Sequence, residues 1–304
     1  MYEENYSRRC FESSRKIKNM KCFVCDSKNI FCLFQAKEYS VFKCRRCRTC
    51  FRFPQPPENI YLNKVSEYYR TNDPYFKVAH SREYLYKRFF NQIKKIKENS
   101  KILDIGCSYG YFLYLAKEKG LEPYGVEIVP EFVEIGKKFG INIQCTPFEK
   151  LDLPENYFDI ITLWNIFDEL FSPSECLIKI KKFLKPNGIL FMRIPNADFH
   201  SFICEINKIL EKFSLGKLVP YRSFIFHLFA FSNKSIRIML EKNGFKNIKI
   251  INSPPTKGDP YNMKKGGRFY KFISFLITQF LFIITFRKLT FAPSIEIFAE
   301  NGKN

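Results

Sequence analysis

Acidic side chains are scarce in this chain: 30 Asp and Glu stand against 50 Lys and Arg, a formal charge of +20 over 304 residues. That excess rules out an anion-repelling surface and favours an anionic partner such as nucleic acid, an acidic glycan or a membrane face. The competing reading is compositional, with Lys filling ordinary surface positions in a chain also crowded with Phe, Tyr, Ile and Asn. The Gly-x-Gly-x-x-Gly dinucleotide fingerprint is absent, and so is a phosphate loop ending in Gly-Lys-Ser/Thr. Both of those phosphate cradles are therefore excluded. The residues through Lys21 are polar and charged, so no secretory leader is expected, and the expected compartment is a reducing cytoplasm. Eleven Cys in that compartment point to metal rather than disulfides. No apolar run reaches the roughly 20 residues that crossing a bilayer requires. His and Trp are nearly missing, with three and one.

Against these absences stands Lys101-Ile-Leu-Asp-Ile-Gly-Cys-Ser-Tyr-Gly-Tyr-Phe112. A short apolar run carries an acid, a Gly-x-Ser-x-Gly turn follows, and a helical pattern begins at Phe112. This is a buried parallel strand feeding a glycine loop that opens a helix, the arrangement with which open α/β sheets seat nucleotide-like ligands. Gly106 and Gly110 allow close backbone approach, and the following helix N-terminus offers free N–H groups to an anion.

Cys22-Phe-Val-Cys25 and Cys44-Arg-Arg-Cys47 are two Cys-x-x-Cys knuckles around a strand-like stretch. This is zinc-ribbon spacing, able to present four thiolates to one structural Zn²⁺ and leaving no open catalytic position. Lys21, Lys43, Arg45, Arg46 and Arg48 read first as neutralising that site and second as a nucleic-acid contact. Cys32 and Cys50 are conceivable alternates.

Pro54-Gln-Pro-Pro57 marks a boundary. The expected organisation is a zinc-ribbon region over 1–55, a helical cover over 56–98 and a ligand-binding domain over 99–304. The cover is expected to lie over the sheet edge and the mouth of the site. Strand signals recur at 102–105, 122–127, 141–144, 157–163, 189–194, 245–251 and 294–299, with helices at 130–139, 173–184 and from the Ser232 N-cap to Asn243-Gly244. Seven strands alternating with helices predict a doubly wound, Rossmann-like α/β sheet. An insert over about 260–292 has no acid between Asp259 and Glu296, and cations flank Tyr270–Phe286. Those 17 residues span about 25 Å as a helix. Lys271, Ser274, Thr278 and Thr285 form a narrow polar stripe. The segment reads as an interfacial helix on a membrane surface, or as a core-packed one, ahead of a spanning one.

Asp104-Ile-Gly-Cys-Ser-Tyr-Gly110 resembles motif I of the class I S-adenosylmethionine (SAM) dependent methyltransferases. Tyr124-Gly-Val-Glu127, Phe158 to Trp164, Leu184-Lys-Pro-Asn-Gly188, Ile194-Pro-Asn196 and His227 to Ser232 continue the resemblance. With the four knuckle cysteines, the chain resembles bacterial methyltransferases that carry an N-terminal zinc ribbon and belong to glycan and cell-envelope biosynthesis. The resemblance implies SAM as cofactor. It assigns Glu127 to the ribose hydroxyls, Ile128 to the adenine face and Phe148 to the adenine edge. Asp104, Gly106, Cys107, Ser108 and Gly110 would hold the methionine part, and Trp164 and Asn165 would line the sulfonium side. For Trp164 and Ile128, plain core packing is the alternative.

Many relatives carry Glu-His after the fourth strand, whereas this chain has Asp168-Glu169 there. The usual histidine base is therefore missing. His227 is the first candidate for base or acceptor contact, with a structural hydrogen bond as its other reading. Asp168 and Glu169, expected as exposed loop acids, are substitutes. The expected reaction is methyl transfer to a glycan, lipid-linked sugar or related small-molecule acceptor, in the cytoplasm and peripherally at the inner face of the membrane. One alternative is an RNA methyltransferase, disfavoured because Leu163-Trp-Asn-Ile166 replaces an Asn-Pro-Pro-Tyr type motif. The other is a non-catalytic binding protein on the same fold.

Overall fold

The computed structural model describes residues 20–36, 39–72, 74–93, 97–212, 228–256, 267–285 and 290–302. Three strands, β1 (Ile30–Gln35), β2 (Ser40–Cys44) and β3 (Cys50–Phe53), form the N-terminal hairpins. Two helices follow, α1 (Glu58–Asn72) and α2 (Pro74–Gln92). Strand and helix then alternate through β4 (Lys101–Ile105), α3 (Tyr111–Lys117), β5 (Glu122–Glu127), α4 (Pro130–Lys138), β6 (Asn142–Cys145) and β7 (Phe158–Trp164). Next come α5 (Pro173–Phe183), β8 (Leu184–Pro195), α6 (Ala197–Lys212), β9 (Phe229–Ala230) and α7 (Asn233–Lys242). The chain closes with β10 (Phe245–Asn252), α8 (Gly267–Ile284) and β11 (Ser294–Asn301).

The main sheet has the order β10-β11-β8-β7-β4-β5-β6. Strands β4 to β8 are mutually parallel, and β11 is antiparallel to both β8 and β10. Period-two alternation divides the strand residues between two cores. Leu103 and Ile161 face α5 and α7 on one side, while Ile102 and Ile160 face α2 and α3 on the other. Because both faces are covered, the strands read as nearly continuous apolar runs.

Helix α2 lies on a face of the sheet rather than over its edge. Phe89 meets Phe191 at 4.7 Å between ring centroids, and Tyr86 meets Trp164 at the same distance. Arg88 holds Glu296 of β11 at 2.6 Å, fixing the helix laterally. The reason is amphipathic: Leu85, Tyr86, Phe89 and Phe90 make one apolar stripe that only a sheet face is broad enough to bury.

Three elements escape the sequence reading: β3, α6 and β9. Strand β9 pairs antiparallel with β3 and completes a four-stranded sheet, β1-β2-β3-β9, with the N-terminal hairpins. Val24, Phe42 and Phe51 share a core with Leu177, Ile236 and Met239. Ser232 strengthens this seam: it caps α7 by accepting from the Ser235 N–H at 3.0 Å and donates to the Cys47 carbonyl at 2.7 Å. Ser232→Ala removes a cap and orphans a buried carbonyl. It is expected to cost about 1–3 kcal/mol, read as a lower urea midpoint at unchanged m-value.

Candidate active site

The loop after β4 is built by backbone constraints. Gly106 has φ +69°, and a Cβ there would stand 2.6 Å from the Ile166 side chain, so both conformation and space demand glycine. Its N–H and that of Cys107 both donate to the Val126 carbonyl. Gly110, at φ +78°, turns the chain into α3.

Glu127, at the tip of β5, binds this loop directly. Its Oε2 accepts from the Ser108 N–H at 2.8 Å, and its Oε1 accepts from the N–H groups of Ile128 (2.8 Å) and Val129 (3.1 Å). A carboxylate offers about four lone-pair sites, so three amides leave room for one further donor. Burial pushes the Glu127 carboxyl above its usual range, against the pull of those amides. One strand over, Asp104 is buried, and Thr162 Oγ1 donates to its Oδ1 at 2.7 Å. Burial, with a contribution from Glu127, pushes Asp104 up to about 8. Two adjoining buried carboxylates make a site that favours a cation.

Other expected residues stand differently. The Cys107 thiol is buried in the α2–α3 core against Gly125 and donates to the Ser108 carbonyl of the loop at 3.5 Å. Burial raises that thiol well above its usual range. Ser108 Oγ is buried and lacks a hydrogen-bond partner among the described residues. Ile128 is half-buried beside Val129 and Phe132. The Phe148 ring packs into the core shared by α5, with Lys179 Nζ 5.5 Å from its centroid. Trp164 is likewise core, its ring centroid 4.6 Å from Phe191 and 5.4 Å from Phe112, though its Nε1 has no acceptor.

Asn165, at φ +62°, ends β7 and is clamped by Arg193. Its N–H donates to the Arg193 carbonyl, and its Oδ1 accepts from Arg193 Nη1 at 2.6 Å. Arg193 Nε donates to Ser253 Oγ, which donates to Glu296 Oε1, which in turn accepts from Arg88. This buried relay was not visible in the sequence, because its members are spread from 88 to 296.

Asp168 is buried, not an exposed loop acid, and its carbonyl accepts from the Leu228 and Phe229 N–H groups. That tie to β9 draws the loop inward. Glu169 keeps partial exposure. The Tyr61 hydroxyl is buried nearby, and burial, with Glu169 and Asp168, raises it far above its usual range. His227 lies outside the described residues.

Cys22, Cys25, Cys44 and Cys47 converge with their sulfurs all within 4.8 Å of one another, the Cys22–Cys47 pair at 3.5 Å. Cys50 instead belongs to a separate core with Leu33 and Val41, and Cys32 stays outside the cluster. Four of the five neighbouring cations are engaged internally: Lys43 pairs with Glu205 and Arg48 with Asp198, both acids on α6, and Arg46 donates to the Cys25 carbonyl. Arg45 stacks over Phe31.

The family model described as "Methyltransferase domain" matches residues 78–250. An uncharacterized protein of Methanocaldococcus jannaschii is 27% identical over 67% of this chain and 93% of its own length. The ubiquinone biosynthesis O-methyltransferase of Coxiella burnetii is 26% identical over 34% of this chain, and only 47% of that enzyme is spanned. Among solved structures, phosphoethanolamine N-methyltransferase 2 of Haemonchus contortus with S-adenosyl-L-methionine has a TM-score of 0.55 at 14% identity. It covers 84% of this chain and 63% of its own, a likeness of fold.

The raised Asp104 sets a pH dependence. An acid whose folded pKa is raised binds its proton more tightly folded than unfolded, so stability falls as pH climbs from about 4 to about 8 and levels above that. Asp104→Asn is expected to flatten that part of the melting-temperature profile. An unchanged profile would show that Asp104 does not hold a proton there.

Proposed function

This chain belongs to the methyltransferase domain family, and from that membership we propose that it transfers a methyl group from SAM to a glycan, lipid-linked sugar or related small-molecule acceptor. The observation that carries the cofactor side is the pair of buried carboxylates, Asp104 and Glu127, flanking the glycine loop. A cationic ligand relieves both. Ser108 Oγ and Trp164 Nε1, buried without partners, supply donors that suit a polar ligand.

SAM, when bound, supplies a methyl group already activated by its sulfonium, so its departure needs no acid. Glu127 takes a ribose hydroxyl on its remaining lone pair while keeping the loop closed. Asp104 receives the amino group, Ile128 packs on adenine, and Phe148 contributes backbone rather than ring. The Arg193–Asn165 clamp fixes the end of β7, where an acceptor must be aligned behind the methyl group. An acceptor hydroxyl must lose its proton, and Glu169, the more accessible acid, is the base in this reading. Asp168 positions its loop.

The acceptor class rests on the resemblance to ribbon-bearing envelope methyltransferases and on the cationic, apolar character of the insert. A structural Zn²⁺ fits the cysteine cluster: four ligands at about 2.3 Å in a tetrahedron stand about 3.8 Å apart, within the spread of these sulfurs.

Glu127→Ala is expected to weaken SAM binding by about ten- to a hundredfold in calorimetry, the loss of about one or two charge-assisted hydrogen bonds and of the tied loop. Unchanged affinity would remove Glu127 from the site. Demethylated cofactor should be released with lipid-linked sugar extracts and not with RNA; the reverse would overturn the acceptor reading. Elemental analysis should find one zinc per chain, and Cys22→Ser should abolish it while sparing SAM affinity.

A further inference from the structure

We propose that the outer face of α8 is a docking surface for an anionic phospholipid bilayer. The helix is turned opposite to a water-facing amphipathic helix. Thr278, from its polar stripe, is buried against the protein together with Phe282. Phe272, Leu276, Ile277, Phe280, Ile283 and Ile284 are all exposed, Phe280 by 63%. Their spacings of 4, 5, 8, 11 and 12 residues from Phe272 place them on one stripe of the helix. A continuous apolar stripe of this kind marks an interaction surface rather than ordinary surface scatter.

The helix is seated in this orientation by Asn252, at the end of β10. Asn252 Nδ2 donates to the Thr278 carbonyl, and its Oδ1 accepts from the Ala292 N–H on the returning chain. Rolling the helix to hide its apolar face would break the inward packing. Phe202 of α6, itself exposed, packs on Phe291 at the end of the insert.

Charge selects the occupant. In the sequence, Lys264, Lys265, Arg268 and Lys271 come before the apolar residues of the stripe, Arg287 and Lys288 come after them, and no acid lies between Asp259 and Glu296. An apolar stripe flanked by cations matches an anionic lipid surface, where headgroups meet the Lys and Arg and acyl chains meet the stripe. A second copy of the chain would bring two such cationic clusters together. No helix of the described residues is long and apolar enough to cross a bilayer. The surface also lies near the chemistry. Asn252 and Ser253 stand at the C-terminal end of β10, the same end of the sheet as the glycine loop after β4, and Ser253 contacts the Arg193 that clamps Asn165.

The test uses the full chain and does not depend on turnover. Co-sedimentation should show binding to vesicles of equal phosphatidylglycerol and phosphatidylcholine, at least about tenfold weaker with phosphatidylcholine alone, and falling with added salt. The double variant Phe280→Ser/Ile283→Ser should weaken binding to the mixed vesicles about tenfold or more and melt like the parent, because both side chains are exposed. Equal sedimentation with both vesicle types, or none with either, would overturn the proposal. So would a concentration-dependent dimer in analytical ultracentrifugation that this variant dissolves.

Discussion

The Glu127 carboxylate is the group on which the site depends. By accepting from Ser108 on one side and from Ile128 and Val129 on the other, it joins two loops that parallel strands would otherwise leave diverging. The cost is a buried charge, and the amides only partly offset it. A neighbouring acid, Asp104, adds to the debt. Such a pair is relieved by a cationic ligand.

The cysteine cluster is not a detached appendage. Strand β9 comes from far along the chain, yet it finishes the sheet of the N-terminal hairpins, and Ser232 binds Cys47 while capping α7. The same short segment, Leu228 and Phe229, holds the Asp168 carbonyl. The geometry of the cysteine cluster is therefore linked by two hydrogen-bonded steps to the loop that bears Asp168 and Glu169. A structural metal there would stiffen the acceptor side without touching substrate.

Much of this was legible in the sequence, for identifiable reasons. The seven strands announce themselves because both faces are buried, and the knuckles because thiolate spacing is tightly constrained. The glycine loop is legible because Gly106 and Gly110 occupy positive φ. Side-chain direction at strand ends is less legible. Trp164 and Phe148 sit beside the site in sequence but point into the core, and a buried aromatic reads alike either way. Asp168 looked exposed because its loop contains Asp and Glu, whereas pairing with Leu228 and Phe229, sixty residues on, draws it in. The Arg193–Ser253–Glu296–Arg88 relay was hidden for the same reason: long-range polar contacts leave no periodicity.

The charge distribution has an inside and an outside. Among the described residues the Lys and Arg side chains, Arg193 apart, are not buried, yet the carboxylates that would attract a sulfonium are buried near the strand tips. At physiological salt an exterior charge is felt over only about 8 Å, so the outer cations and the inner acids need not compete. The first group acts on whatever surface the protein approaches, the second on the ligand once it is enclosed. The α8 helix follows the same division, with its hydrogen-bonding side turned to the protein and its apolar side turned out. An acceptor carried on a lipid would meet the cationic, apolar exterior first and the acidic interior only at its reacting end. The two sets of charges thus act through fields that scarcely overlap.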